Sequence, residues 1–394
     1  MKKLLIVLVA LFSVLSPTQA KLQMRKVYVD VYGTRMSVRV PVRSQFALPE
    51  DPATHMKETV AVFDKVFKRT LDDCTTLKVV RKLSDWTYLR MLDKVAVIAL
   101  GETDEATLLM AYLLTRSNYR MLLGTNEGRL QLLYNAKETL YGKPFFTIGG
   151  YNYYPYSSNG DSDIKTFHIC DTNLSGDNPL SFLICEEQKL DYVPTEPRVF
   201  QNEKNPAMKM TVSVNKNLID FYADYPSFEH SGNAMTRWAA LANTPLDKRV
   251  SKQIYPALRK QLKGLSQRQA LAYLLELMQT TLSYEYDDAV WGHDRAFYAE
   301  ETLYYPYADS EDYAILFSRL VRDLLHLKTC LIYYAQPSGH LSVGVCLNEE
   351  VKGGYVFQDG KRFTICEPCH YIPEPGTVIS AYQDVTPSNI IMLE

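Results

Sequence analysis

Three residues in the C-terminal part of the chain, Ser310, His340 and Glu367, have side chains suited to nucleophilic or hydrolytic chemistry. A hydroxyl, an imidazole and a carboxylate are the groups that Ser-His-acid triads use on several unrelated folds. Ser310 lies in the acidic stretch 309–312, and Glu367 lies in the run Cys366-Glu367-Pro368-Cys369. These three side chains can act together only if the helices and strands that carry them bring them close to one another.

The hydrophobic pattern predicts the elements that hold these residues. Apolar residues at helical spacing follow Ser310, so this serine lies at or just before a helix N-terminus. His340 opens one apolar strand, and Glu367 directly follows another. A capping-box pattern at 266–269 begins a further helix that would pack beneath this segment. The predicted strands are 329–334, 341–347 and 361–365.

The order of a helix, a strand opened by histidine and a strand ending in an acid resembles the transglutaminase-like branch of the papain-like fold, over residues 266–376. In that family a cysteine lies at the helix N-terminus within a pattern like D-C-E-D-x-A, where the helix dipole favours the thiolate. The resemblance implies a transglutaminase-like domain over 207–394. The positions that match the pattern around the cysteine are Asp309, Glu311, Asp312 and Ala314.

The resemblance also implies a role for each of the three residues. Ser310 takes the position of the nucleophilic cysteine, His340 that of the base, and Glu367 that of the acid that orients the base. Two of the three differ from the family pattern, which has cysteine and aspartate. A serine hydroxyl must lose its proton to a base during attack, and the longer glutamate arm would displace the imidazole. We therefore expect a catalytically silent site.

Two functions follow from this pattern. The first is a pseudoenzyme, a silent protein that binds a peptide or a glycan-linked peptide in the former active-site cleft. The alternative is a peptidase or amidase that uses a triad of Ser310, His340 and Glu367. Both hypotheses take a peptide or polypeptide as the partner, and neither requires a cofactor.

None of the seven cysteines occupies the nucleophile position. Cys366 and Cys369 have the spacing of a redox or zinc pair, but no helix follows them, and zinc would need a second pair of ligands. His370 adds at most one further ligand nearby. We therefore expect no metal site. In an exported chain, disulfide bonds are the expected use of some of these thiols.

The first half of the chain, 21–206, shows a mixed pattern of strands and helices. It is either a degenerate duplicate of the transglutaminase-like unit, without nucleophile and histidine, or a generic α+β module. The predicted fold class of the whole chain is α+β, with an N-terminal mixed α/β domain before the domain at 207–394. The predicted elements of the first half are a hairpin over 27–42, helices over 56–67 and 104–113, and short strands between 121 and 148.

Composition and charge narrow the partners and the compartment. The 394 residues include 43 Lys and Arg against 45 Asp and Glu, without a concentrated basic stretch, which argues against a nucleic-acid partner. Lys2 and Lys3 precede an apolar run over 4–15, and Thr18-Gln19-Ala20 suits cleavage, so residues 1–20 are predicted to be a secretory signal peptide. No later apolar run is long enough for a membrane span. We expect an exported protein, periplasmic or secreted.

Overall fold

The computed structural model of the protein describes residues 22–158, 164, 166–172, 174–230 and 232–394. The predicted signal peptide, residues 1–20, lies outside these described residues. Within them, helices and mostly antiparallel sheets occur in both halves, which confirms the α+β class predicted from the sequence. None of the described helices combines the length and the apolar character that a bilayer crossing requires.

The first half begins with a hairpin and continues with helices and a five-stranded antiparallel sheet of order β6-β7-β4-β3-β8. Its strands are β1 (Met24–Val31), β2 (Thr34–Pro41), β3 (Met121–Asn126), β4 (Arg129–Asn135), β5 (Thr139–Leu140), β6 (Phe146–Ile148), β7 (Tyr151–Pro155), β8 (His168–Ile169) and β9 (Arg198–Gln201). Its helices are α1 (Met56–Val66), α2 (Lys68–Arg81), α3 (Asp85–Leu100) and α4 (Asp104–Arg116).

The hairpin of β1 and β2 turns at Tyr32 and Gly33, where both φ angles are positive, 49° and 63°. Two-residue turns of this kind match the twist of the strands and favour glycine. A Cβ atom at Gly33 would lie only 2.2 Å from Asn217 Oδ1. The turn therefore packs tightly against the second half of the chain.

The sequence pattern predicted the hairpin, α1 and α4, but it missed α2 and α3. The apolar residues of α2 are not gathered on one face, and only Thr70 and Cys74 of this helix are buried. α3 is buried on several faces, from Trp86 to Ala99. A one-sided apolar stripe is the signal of a surface helix, so neither helix has the pattern that reveals it.

The second half contains seven described helices and a second five-stranded sheet. Its helices are α5 (Lys216–Asp224), α6 (Met235–Asn243), α7 (Lys248–Leu262), α8 (Gln267–Thr281), α9 (Asp287–Val290), α10 (Ala299–Tyr304) and α11 (Ser310–Leu325). Its strands are β10 (Lys209–Val212), β11 (Phe228–Glu229), β12 (Ser283–Tyr284), β13 (Tyr307–Ala308), β14 (Thr329–Tyr334), β15 (His340–Val345), β16 (Tyr355–Gln358), β17 (Lys361–Cys366) and β18 (Asn389–Met392).

The second sheet positions two of the three predicted site residues. Its order is β16-β17-β15-β14-β18, and every neighbouring pair is antiparallel. In the pairing of β15 with β17, Val343 lies opposite Cys366, so the register continues to Ser342 opposite Glu367. α11 packs against β14 and β15 and is buried along most of its length. The three predicted strands and the helix after Ser310 are thus confirmed.

The two halves share structure across the predicted boundary between residues 206 and 207. β9 and β10, on either side of it, pair as an antiparallel hairpin. β5 of the first half pairs with β11 of the second. Most of the buried apolar residues of both halves also belong to one continuous cluster, beside a smaller one within the second sheet.

Two buried carboxyl groups at the start of α10 lie just before the segment that leads to Ser310. Glu300 Oε1 accepts a hydrogen bond of 2.6 Å from the backbone N–H of Asp247. Glu301 Oε1 pairs with the guanidinium of Arg295 at 2.7 Å. Burial raises the pKa of Glu300 to about 8 and that of Glu301 to about 7. Both groups therefore favour the protonated form in the folded chain more than exposed carboxyls do.

Glu300→Gln is expected to flatten the dependence of stability on pH. The folded chain holds a proton on Glu300 up to a pKa of about 8, whereas the ordinary value is 4.5. This stabilisation is complete below about pH 4.5 and is lost as the pH rises through 8, at up to about 1.4 kcal/mol per pH unit. Urea unfolding between pH 5 and 8 measures the slope. The exposed Glu285→Gln is the control, and equal slopes in both variants would contradict the assignment.

Candidate functional site

The acidic stretch around Ser310 caps the buried helix α11. Ser310 is the first residue of the helix and is only 6% exposed. Asp312 Oδ2 accepts a hydrogen bond of 3.2 Å from the backbone N–H of Asp309, and its Oδ1 accepts one of 2.8 Å from the N–H of Phe297. Asp312 therefore joins the start of α11 to the preceding loop, in the manner of a capping box.

The hydroxyl of Ser310 is hydrogen-bonded to its neighbour in the chain. Ser310 Oγ donates to Glu311 Oε2 at 3.2 Å. Among the described residues, no hydrogen bond joins Ser310 to His340. A serine nucleophile is activated by a base within hydrogen-bond reach, so the structure does not show Ser310 in the activated arrangement.

His340 and Glu367 form a buried pair at the start of β15. His340 Nε2 lies 2.9 Å from Glu367 Oε2, and the two side chains are 7% and 0% exposed. The carboxylate therefore fixes one ring nitrogen and leaves Nδ1 as the nitrogen that could face a reacting group. The structure brings together two of the three predicted residues, in the base and orienting-acid arrangement implied by the family resemblance.

Ser342 completes this buried cluster, and the sequence analysis did not identify it. Its hydroxyl donates to both carboxylate oxygens of Glu367, at 2.8 Å and 2.9 Å. His340 and Ser342 are two residues apart in β15, and alternate residues of a strand share a face. The period of two from His340 was the signal that could have revealed Ser342.

Tyr382 and Gln279 also support the pair from distant parts of the chain. The ring of Tyr382 stacks on His340 with a centroid distance of 4.8 Å and an angle of 17° between planes. The hydroxyl of Tyr382 donates to the carbonyl oxygen of Ser338 at 2.8 Å. Gln279 Nε2 of α8 donates to the backbone carbonyl of Glu367 at 2.8 Å. Because these contacts join residues far apart in the chain, local sequence patterns could not predict them.

Several carboxyl groups surround Ser310 and repel one another. Burial, followed by the charge of Glu311, raises the pKa of Asp309 to about 11. Burial likewise raises the pKa of Asp312 well above its ordinary value, and that of Asp287 to about 6. With their pKa values raised this far, Asp309 and Asp312 favour the protonated, neutral form near pH 7.

The cysteines of the structure contradict the expected disulfide bonds and do not provide a reactive thiol near the pair. All seven are free thiols. Burial raises the pKa of Cys369 to about 12, with a further contribution from the charge of Glu367. Cys366 is fully buried, and burial raises its pKa as well. Neither thiol has the low pKa of a nucleophilic cysteine.

Exposed tyrosines lie beside the start of α11. Tyr284, Tyr286 and Tyr307, which we call the tyrosine surface, are 39%, 69% and 43% exposed. β12 and β13 pair in parallel and place Tyr284 opposite Ala308, directly before Asp309. The charges of Asp309 and Glu311 contribute to raising the pKa of Tyr284, after the larger effect of burial. The tyrosine surface therefore borders Ser310.

A cavity of about 730 Å³ lies elsewhere, between the two halves. Its lining includes Trp86 and Tyr141 of the first half and Arg237 of the second, but none of the three predicted site residues. Arg237 Nη1 donates to Asp294 Oδ2 at 2.7 Å inside the lining. The cavity is thus distinct from the histidine and glutamate pair.

Comparisons of the chain with known protein families, with curated proteins and with solved structures found no match. The resemblance to the transglutaminase-like family therefore stays a prediction from the sequence pattern. The contacts of His340, Glu367 and Ser310 are the observations on which a function can be based.

Glu367→Ala is expected to destabilise the protein by about 2–4 kcal/mol, because it leaves buried polar atoms of His340 and Ser342 without their partner. Urea unfolding at pH 7 measures the loss. Glu374→Ala is the matched control, since Glu374 pairs with Arg268 at the surface, and we expect it to cost less than about 1 kcal/mol. An equal effect of the two substitutions would show that the buried cluster does not hold the strands together.

Proposed function

We propose that the protein is an exported, catalytically silent relative of the transglutaminase-like family that binds a peptide or a glycan-linked peptide at the former active site. The observation that carries the proposal is the hydrogen bond from Ser310 Oγ to Glu311, which replaces a contact with the base. Export is based on the signal-peptide pattern of residues 1–20.

The proposed lack of catalytic activity rests on where the proton of the Ser310 hydroxyl is held. A hydroxyl becomes a strong nucleophile only when a base removes its proton during the attack. The base of this site, His340, is bonded to Glu367 and not to Ser310. The carboxyl group of Glu311, which accepts the hydrogen bond of Ser310 Oγ, adds a second obstacle, because negative charge on it disfavours the oxyanion that acyl transfer develops.

The tyrosine surface supports the proposed binding role. Tyrosine side chains provide a large apolar face together with a polar hydroxyl, and they are enriched where proteins contact peptides and other proteins. Tyr284 and Tyr307 lie on the paired strands that lead to Ser310, so a ligand on this surface would lie across the former nucleophile position. An extended peptide or the peptide of a glycan-linked chain suits such a surface.

The alternative is a peptidase or amidase, and one specific observation favours it. The pair of His340 and Glu367 is intact, buried and supported by Ser342. A base and an orienting acid of this kind are two of the three parts of a working triad. The difference between the two functions is therefore the state of Ser310.

The tyrosine surface is expected to determine ligand binding. We expect Tyr284→Ala combined with Tyr307→Ala to weaken the binding of fluorescein-labelled random decapeptides or soluble muropeptides at least about tenfold. Fluorescence anisotropy measures both ligands. Tyr28→Ala, an equally exposed tyrosine in β1, is the control. Binding of neither ligand class, or equal weakening by Tyr28→Ala, would overturn the binding role.

The pair of His340 and Glu367 is expected to activate a thiol placed at position 310. We expect Ser310→Cys to gain reactivity with iodoacetamide that falls at least about tenfold when His340→Ala is added. The wild-type protein should resist a fluorophosphonate probe. Fluorophosphonate labelling that disappears in Ser310→Ala would establish the peptidase or amidase alternative. If the reactivity of the thiol at position 310 is the same with and without His340, then the two residues are not placed as a catalytic dyad.

A further inference from the structure

A group of three carboxylates lies at the start of α11, outside the pair of His340 and Glu367. Asp287, Asp309 and Glu311 each offer a carboxylate oxygen, and these oxygens lie within 4.8 Å of one another. Asp309 and Glu311 flank Ser310, whereas Asp287 is the first residue of the short helix α9. We call these three residues the carboxylate cluster.

Among the described residues, no salt bridge joins a positive side chain to the carboxylate cluster. The guanidinium of Arg295 pairs with Glu301, and that of Arg237 pairs with Asp294. The hydrogen bond from Arg295 to the cluster comes from its backbone N–H, which donates to Asp287 Oδ2 at 2.6 Å. Three carboxylates at this separation repel one another strongly unless a proton or a cation lies between them.

A second observation concerns an oxygen atom of Asp309 itself. Asp309 Oδ1 is fully buried and accepts no hydrogen bond from any described residue, and the residue as a whole is 8% exposed. Buried carboxylate oxygens almost always have a donor or a cation as partner. The carboxyl of Asp309 also lies within hydrogen-bond reach of the Glu311 side chain, so a proton or a cation held between the two would satisfy it.

We propose that the carboxylate cluster of Asp287, Asp309 and Glu311 binds a calcium ion, which joins the start of α9 to the N-terminus of α11. The donors are all oxygen atoms, which hard divalent cations prefer over softer transition metals. Calcium oxygen distances of about 2.3–2.6 Å allow donors on opposite sides of the ion to lie about 4.6–5.2 Å apart, which suits a set within 4.8 Å. Magnesium, with oxygens at about 2.0–2.1 Å, requires a tighter set.

The proposal has a structural consequence for the former nucleophile position. Glu311 accepts the hydrogen bond of Ser310 Oγ, so an ion held by Glu311 would fix the carboxylate to which the serine is bonded. The sequence analysis expected no metal site, because it considered only the cysteine and histidine residues near Cys366. The sequence analysis did not recognise the carboxylate cluster, because Asp287 lies far from Asp309 in the chain.

Terbium luminescence tests the proposal, because Tb³⁺ occupies calcium sites and is sensitised by nearby aromatic residues such as Tyr284 and Trp291. We expect a saturable signal in the full-length protein that Ca²⁺ displaces and that Mg²⁺ displaces at least about tenfold less well. Glu311→Gln and Asp287→Asn should each weaken the binding of Tb³⁺ at least about tenfold. Asp288→Asn, an exposed neighbour outside the cluster, should leave it unchanged.

Thermal unfolding provides the second readout and guards against variants that fail to fold. Calcium at saturation should raise the Tm of the wild type by about 3 °C and leave that of a folded Glu311→Gln unchanged. Absence of a displaceable terbium signal would overturn the proposal and indicate that a shared proton relieves the repulsion. Equal displacement by Mg²⁺ would overturn the choice of calcium. Neither result depends on whether the tyrosine surface binds a peptide.

Discussion

The burial of α11 is the constraint on which the rest of the site depends. This helix lies between the second sheet and the neighbouring helices, and every residue from Ser310 to Val321 is buried. Its polar first turn must therefore enter the interior together with its apolar face. The four carboxyl and hydroxyl groups from Asp309 to Asp312 are consequently held where water is scarce, and each must find a donor, a proton or a cation.

Two polar clusters meet this constraint in different ways. In the first, Glu367 uses both carboxylate oxygens, one toward His340 and both toward Ser342, so a buried charge is surrounded by donors. In the second, Asp309 Oδ1 has no donor among the described residues, and Glu311 accepts the hydroxyl of Ser310. The first cluster has the arrangement that a base and an orienting acid would have, whereas the second surrounds Ser310. This contrast is the physical basis on which we propose a binding site rather than an active one.

The sequence predicted those parts of the fold whose signals are local. The capping box at Ser266 and Gln269, the apolar spacing after Ser310 and the strand opened by His340 all correspond to observed elements. The sequence did not predict α2, because the apolar residues of this helix do not share one face. It did not predict the role of Tyr382, because the contact of this ring with His340 joins residues far apart in the chain. Residue types could suggest that Ser310, His340 and Glu367 act together, but hydrogen-bond direction could not be foreseen. Only the structure shows that the hydroxyl of Ser310 donates its hydrogen bond to Glu311.

The hairpin of β9 and β10 has a consequence for how this chain could have evolved. The pairing of β5 with β11 and the shared apolar cluster join the same two halves. A gene fusion or recombination event at residue 206 would separate β10 and β11 from their partner strands and expose their unpaired backbone groups. We therefore expect the two halves to be inherited together rather than exchanged as modules, because each half supplies strands that the other needs. Changes at position 310 would then accumulate on a scaffold that cannot be replaced in parts.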